Sequence, residues 1–497
     1  MNKFIVDFHC HATLRALNTI PSNGIRNIWE KTYNQELPSK VGRWARFQTR
    51  EIAKESQTNL YSYAQNNTRV VFDSLYPVEK NWFKIRKMPG YIVGDRAQEE
   101  IMLVAFGIEK KRLRQLKNHQ DYFQELLECY EFLLNGQGCS PDEQYCYKLV
   151  RNYRELSRIL KKEPHTIAII ITIEGAHALG SGIGDNLAPN HTSHRQMLSE
   201  NICKIKEWEF PPFCINLAHH FWNQLSGHAR SLKPPINLVF DQYLGLNTGI
   251  TELGWHVVEN LLTRNNGRRI LIDIKHMSVQ ARKEYYRFVV THNNLYPDDK
   301  IPIICSHTGV SAFETMDESI KVKDINRKST GSYYNNWSIN LSDEEIKIIY
   351  QSGGIIGVML DKGVIAGPDT LKFIRSMSGM ERKKAFLKLI LDTVFHIVQV
   401  CEDKTGWDII CIGSDYDGLI THFDDYKTAA SLPTLQENLT DYLKNTGYRQ
   451  ELWYNYTPEQ LMNKLFSQNV LDFMENHFWE LSPYERRKKL IRLKRRR

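Results

Sequence analysis

Residues 167–177 read IAIIITIEGAH. Isoleucine occupies odd and even positions alike, so a strand built from this run is buried on both faces, as in a parallel sheet. It then ends on the ionisable residues Glu174 and His177. Seven other short apolar runs repeat the design: FIVDFHCH from Phe4, RVVFDSLY from Arg69, CINLAHH from Cys214, RILIDIKHMS from Arg269, IPIICSHTG from Ile301, GGIIGVMLD from Gly353 and DIICIGSDYDG from Asp408. Helix signals lie between them. TELGWHVVENLL opens on Thr251 and Glu252 and is stopped at Gly267, and in LSDEEIKIIYQ Ser342 is followed by Glu345 in a capping-box pattern. Eight strands alternating with helices predict an α/β fold, a (β/α)8 TIM-type barrel.

Such a barrel takes about 250 residues, and this chain has 497. The excess falls at 12–67 and 77–165, which predicts long helical insertions after strands 1 and 2. PEQLMNKLFSQNVLDFMENHF, from Pro458, predicts a C-terminal helical extension. No repeat or Pro/Gly-rich linker divides the chain, so residues 1–480 read as one elaborated domain and 481–497 as a basic tail. Apolar content of 42% with 11% aromatics is that of a core-forming protein. The net charge of +8 suggests a polyanion partner until its location is considered, for RRKKLIRLKRRR at the C-terminus carries nine positive charges. Without them the other 485 residues are near neutral, at −1. A nucleic-acid role would rest on the tail alone. The nine cysteines include no CxxC pair, a pattern that fits a reducing compartment better than a disulfide framework. With no leader and no run long enough to span a membrane, the expected location is cytoplasmic.

The strand ends carry the chemistry. His9 and His11 alternate onto one face of the first strand. The other ends bring Glu174, His219 with His220, His276, His307, and Asp415 with Asp417. A closed barrel makes these ends converge at its carboxyl mouth. Imidazoles and carboxylates without clustered thiolates suit Zn²⁺ or a related divalent ion. The donors exceed the need of one four-coordinate ion, so two ions fit better, bridged by Glu174 and a hydroxide. Asp415 would take the proton and return it to the leaving group. Asp417, His177 and His220 read as orienting residues, turn formers or partners behind the ligands rather than as ligands. Lys275 neighbours His276 in a strand and should face the other way.

In this order, IEGAHAL, INLAHH, GITELGWHVVENLL with ILIDIKHMS, IICSHTG, IGSDYDG and QNVLDFM resemble the membrane dipeptidase (renal dipeptidase) family, metallopeptidase family M19 of the amidohydrolase superfamily. The resemblance implies Glu174 as metal-bridging glutamate, His219 as substrate contact, His276 and His307 as zinc ligands, and Asp415 as the carboxylate at the reaction centre. It also implies a homodimer. Three departures stand out. The opening is His9-Cys10-His11, where the family has His-x-Asp. STGSYYNNWSINLSDEE holds no arginine where the family binds the substrate carboxylate, which leaves Arg327, upstream, as the substitute. The leader and lipid anchor of the secreted relatives are missing, which implies an intracellular member.

The expected function is zinc-dependent hydrolysis of the amide bond of a dipeptide or dipeptide-like small molecule. His9, His11, Glu174, His276 and His307 would hold metal, His219 and Arg327 would bind substrate, and His219 would steady the oxyanion. The alternatives are another amidohydrolase reaction, on a lactone, phosphoester or N-acyl amino acid, and a non-catalytic metal-binding scaffold.

Overall fold

The structure is a computed structural model and describes residues 4–19, 26–33, 55–84, 102, 106–118, 121–182, 192–232, 237, 240–321 and 332–479. All eight expected strands form: β1 Ile5–Cys10, β2 Thr68–Leu75, β3 Thr166–Ile173, β4 Cys214–Asn216, β5 Leu271–Asp273, β6 Ile304–Thr308, β7 Ile355–Val358 and β8 Ile410–Ile412. They pair in parallel in chain order from β1 to β8. Cys10 bridges Tyr416, and His11 N donates to Tyr416 O at 3.0 Å, so β1 meets the end of β8 and all but closes the ring. The (β/α)8 barrel is the fold.

The alternation of β1 is broken in an instructive way. Val6 and Phe8 pack with Phe72, Ile170 and Ile304 inside the ring. Cys10, two residues on, packs instead with Val71 and Ile169 in the layer between strands and helices. Pairing with β2 shifts register between Asp7 and Cys10. This irregularity lets His9 and His11 turn to the mouth although Phe8 also faces inward.

The expected helices are present. Thr251 caps Glu252–Leu262 by accepting from Gly254 N. Glu345, in the helix Asp343–Gln351, accepts from Ser342 N at 2.9 Å, completing the capping box. Its carboxylate also takes Arg282 Nε at 2.6 Å, while Arg282 donates to the carbonyls of Met277 and Ser338. Both side chains are fully buried. The pair therefore ties the turn that carries His276 to the next helix of the ring. Replacing Glu345 with Ala leaves a buried guanidinium without its counter-charge, and a loss of about 3–5 kcal/mol is expected in urea unfolding.

The insertion after β2 forms helices Lys110–Asn118 and Tyr122–Asn135. The C-terminal extension runs from Pro458 to His477 through a π-helical segment, Lys464–Gln468. It sends Val470, Phe473 and Met474 into the inner cluster, closing the barrel's amino end. Two features depart from expectation. A hairpin, Gly138–Cys139 and Cys146–Leu149, adds to β3. Its Cys139 and Cys146 form a disulfide, so the cysteine pattern does conceal one local bridge, while the other seven cysteines are free. Among the described residues no helix is long and apolar enough to cross a membrane. Arg327 and the basic tail lie outside the described residues.

Candidate active site

The carboxylate of Glu174 follows β3 directly and is the centre of the mouth. Its Oε1 lies 3.6 Å from His9 Nε2, 3.3 Å from His276 Nε2 and 3.6 Å from His307 Nε2. Its Oε2 lies 2.8 Å from His11 Nε2 and 3.4 Å from His219 Nε2. The rings of His9 and His307 stack at 4.0 Å. Asp415 comes from the loop after β8, with Oδ1 at 3.7 Å from His9 Nε2 and 3.6 Å from His11 Nε2. All of these residues are buried. Thus the barrel brings together every expected site residue that the structure describes.

Local backbone explains how the loops aim them. Asp415 and His276 adopt left-handed conformations, with φ of 58° and 69°, which bulky L-residues enter at a cost of order 1–3 kcal/mol and which cluster at functional sites. Gly418 is required beside Asp415, because a Cβ there would lie 2.0 Å from Asp415 Oδ1. Gly175 serves the same end after Glu174, with φ of 89° and a Cβ position 2.3 Å from His177 Nδ1.

Whether the residues suit a metal can be read from what they lack. His9 Nε2, His11 Nε2 and Glu174 Oε1 are buried without hydrogen-bond partners, the 2.8 Å approach of His11 to Glu174 being out of line for one. Burial leaves such atoms costly unless something satisfies them. Three groups of donors lie close enough to share an ion: His9 with His11 and Asp415, His9 with Glu174 and His307, and His219 with His220 and His276. Imidazole and carboxylate donors in that arrangement fit a divalent metal.

The protonation tendencies follow from crowding. Burial pushes His9 and His276 down to about 3, and His307 falls well below its ordinary value for the same reason, so these rings stay neutral and keep a lone pair. Burial also pushes the Asp415 carboxyl up to about 7, with Glu174 raising it further and His11 and Lys275 opposing. Lys275 lies beyond the strand, which ends at Asp273, and its side chain is buried, so strand alternation does not decide which way it faces. The alternation rule had no strand to act on there.

Two supporting residues escaped the sequence reading. Glu79, four residues beyond β2, takes His219 Nδ1 at 2.7 Å, Phe221 N at 3.0 Å and Tyr76 OH at 3.1 Å. Burial would raise its carboxyl, but His219 beside it holds it below the usual range. No motif marks Glu79, since it lies in a loop. Asp7, in β1, accepts from Ser414 N, Ser414 Oγ and Tyr63 OH, fixing the start of the Asp415 loop. Replacing Glu79 with Ala should lower kcat about 10- to 100-fold, the usual cost of losing a carboxylate that orients a site histidine, and steady-state kinetics would show it.

The remaining polar neighbours have structural tasks. Asp417 accepts from Gln57 N, Thr58 N and Thr58 Oγ1 and pairs with Arg15 Nε at 3.0 Å, anchoring the insertion after β1. His177 Nε2 lies 2.8 Å from Pro77 O, to which it donates.

Residues 235–457 match the family model for membrane dipeptidase (peptidase family M19). The match covers just under half of the chain and is a likeness to that family. The matched region carries His276, His307 and Asp415, whereas His9, His11, Glu174 and His219 lie before it. Among solved structures, the chain is similar to a metallo peptidase from Rhodobacter sphaeroides liganded with a phosphinate mimic of the dipeptide L-Ala-D-Ala. Identity is 14%, coverage 96% of this chain and 99% of that one, and the TM-score 0.50, a likeness of fold. The probable dipeptidase PvdM from Pseudomonas aeruginosa is 16% identical, with coverage of 88% and 98% and a TM-score of 0.46. The family match and the donor clusters together support a metal-dependent hydrolase.

Proposed function

We propose that this protein hydrolyses the amide bond of dipeptides or dipeptide-like small molecules, with two Zn²⁺ ions held by His9, His11, Glu174, His276 and His307. The observation that carries the proposal is one buried carboxylate, Glu174, in contact with five imidazoles, beside a second buried carboxylate, Asp415, near His9 and His11. Divalent ions in this place lower the pKa of water and polarise a carbonyl.

The chain's own residues do the rest. Buried walls exclude bulk water, which strengthens each electrostatic contact inside. His219 faces the centre with Nε2, and the Glu174 and Glu79 carboxylates outweigh its burial and hold its pKa above the ordinary value. Its imidazolium donates to the carbonyl oxygen as negative charge builds there. Glu79 holds the ring through Nδ1. Asp415 accepts a proton from the attacking water and passes it to the departing nitrogen, so that a carboxylic acid and a free amine leave the site.

The test is ninhydrin-detected hydrolysis of a small dipeptide panel by zinc-loaded enzyme, with D-residues included at the C-terminal position. Turnover that disappears with chelator is the expected result. Absence of turnover by enzyme that holds two ions would keep the metal site and reject the substrate class.

A further inference from the structure

We propose that Tyr76 and Trp82 are positioning residues for the reaction: acting through Glu79, they fix the aim of His219. The inference rests on the role given above to His219, as donor to the carbonyl oxygen. It makes the insertion after β2 part of the working site.

The hydrogen bonds can be followed donor by donor. An indole has an N–H and no acceptor, so Trp82 Nε1 donates to Tyr76 OH at 2.8 Å. Tyr76 then has its own proton to give, and Glu79 Oε2 lies 3.1 Å from its oxygen. Burial would raise the Glu79 carboxyl, but His219 holds it below the usual range, so it stands as an anion. An ionised carboxylate only accepts. The same Oε2 therefore takes Nδ1–H of His219 at 2.7 Å, while Oε1 takes Phe221 N at 3.0 Å. The series ends on a ring whose Nε2 lies 3.4 Å from Glu174.

The side chains of Tyr76, Glu79, Trp82 and His219 are all buried. A glutamate bonded to His219 alone could turn about its side-chain torsions and take the ring with it. Tyr76 and Phe221 N hold its two oxygens from different segments, one at the end of β2 and the other in the loop after β4. Trp82 belongs to a buried cluster with Phe106, Ile108 and Leu113 of the insertion and with Phe221. Its ring centroid is 5.0 Å from that of Phe106 and 5.1 Å from that of Phe221. The tie thus runs from the insertion to the loop that carries His219. It acts by keeping one imidazole where negative charge develops. A misplaced ring there costs transition-state stabilisation rather than substrate binding.

The experiment compares the zinc-loaded wild type with Tyr76→Phe, Glu79→Ala and the double variant on a dipeptide, with Phe106→Leu as control. Tyr76→Phe keeps the ring that packs 4.9 Å from His219 and removes only the hydroxyl. Phe106→Leu loosens the packing around Trp82 and leaves the hydrogen bonds in place. The expected result is a kcat about 10-fold lower in Tyr76→Phe, with KM within about twofold and the metal ratio unchanged. In the Glu79→Ala background Tyr76→Phe should cost nothing more, because the path to His219 is already broken. Trp82→Phe, which removes the first donor, should lower kcat less and likewise add nothing to Tyr76→Phe. Phe106→Leu should keep kcat near that of the wild type. Additive losses, an equal loss in Phe106→Leu, or an unchanged kcat in Tyr76→Phe would each overturn the proposal. The Nδ1–H proton resonance of His219, identified by its loss in His219→Gln, gives a readout without turnover. It should shift in Tyr76→Phe and stay in place in Phe106→Leu. If the wild type holds metal and hydrolyses no dipeptide, the dipeptide reading fails and this resonance still decides. Unmoved by Tyr76→Phe, it would reject the positioning role.

Discussion

Glu174→Gln is expected to lose bound metal and about 10³-fold in kcat, equivalent to about 4 kcal/mol of barrier. The reason lies in the geometry of one side chain. Both oxygens of Glu174 are shared among five imidazoles at 2.8–3.6 Å. Burial would raise this carboxyl, but His219 and His11 beside it hold it well below the usual range, so it enters the site as an anion. Removing that charge leaves Asp415 as the remaining carboxylate among the proposed donors and proton carriers. Glutamine also replaces one acceptor with an NH₂ group, which must face rings that need their lone pairs for metal. The measurements are metal content and turnover on the same sample. A variant that retained two ions and near-normal turnover would remove Glu174 from the centre of the account.

Asp415→Asn should act differently. It removes the proton carrier and leaves the imidazoles and Glu174 in place, so the metal ratio should hold while kcat falls about 10²- to 10⁴-fold, the range for general acid–base catalysis. The pH profile supplies a second readout. A carboxylate working as a base is active above its pKa, so activity falls as pH drops through that value. Burial places this limb unusually high for an aspartate, up to about 7 without metal, and bound cations would draw it lower. In Asp415→Asn the acid limb should vanish from the residual activity. Loss of metal from this variant would instead make Asp415 a ligand, a role its position near His9 and His11 would allow.

Much of the architecture was legible in the sequence because strands buried on both faces are written as unbroken apolar runs, and each of the eight runs contains a strand. The mouth was legible too, since the ionisable residues stand where those runs stop. What escaped had no such signal. The hairpin at Gly138–Cys139 is too short for periodicity to register, and its disulfide joins residues seven apart without a CxxC pattern. Lys275 was placed by strand alternation that ends two residues earlier, and His276 turns by a left-handed backbone that alternation cannot describe. Glu79 reaches His219 from a loop, across a sequence separation of 140 residues.

The most direct measurement is a zinc titration of metal-stripped enzyme followed by dipeptide turnover. The account predicts no turnover without metal and a rise that levels off at two ions per chain. Turnover undiminished in the metal-free enzyme, or levelling at a single ion, would contradict the two-ion centre around Glu174.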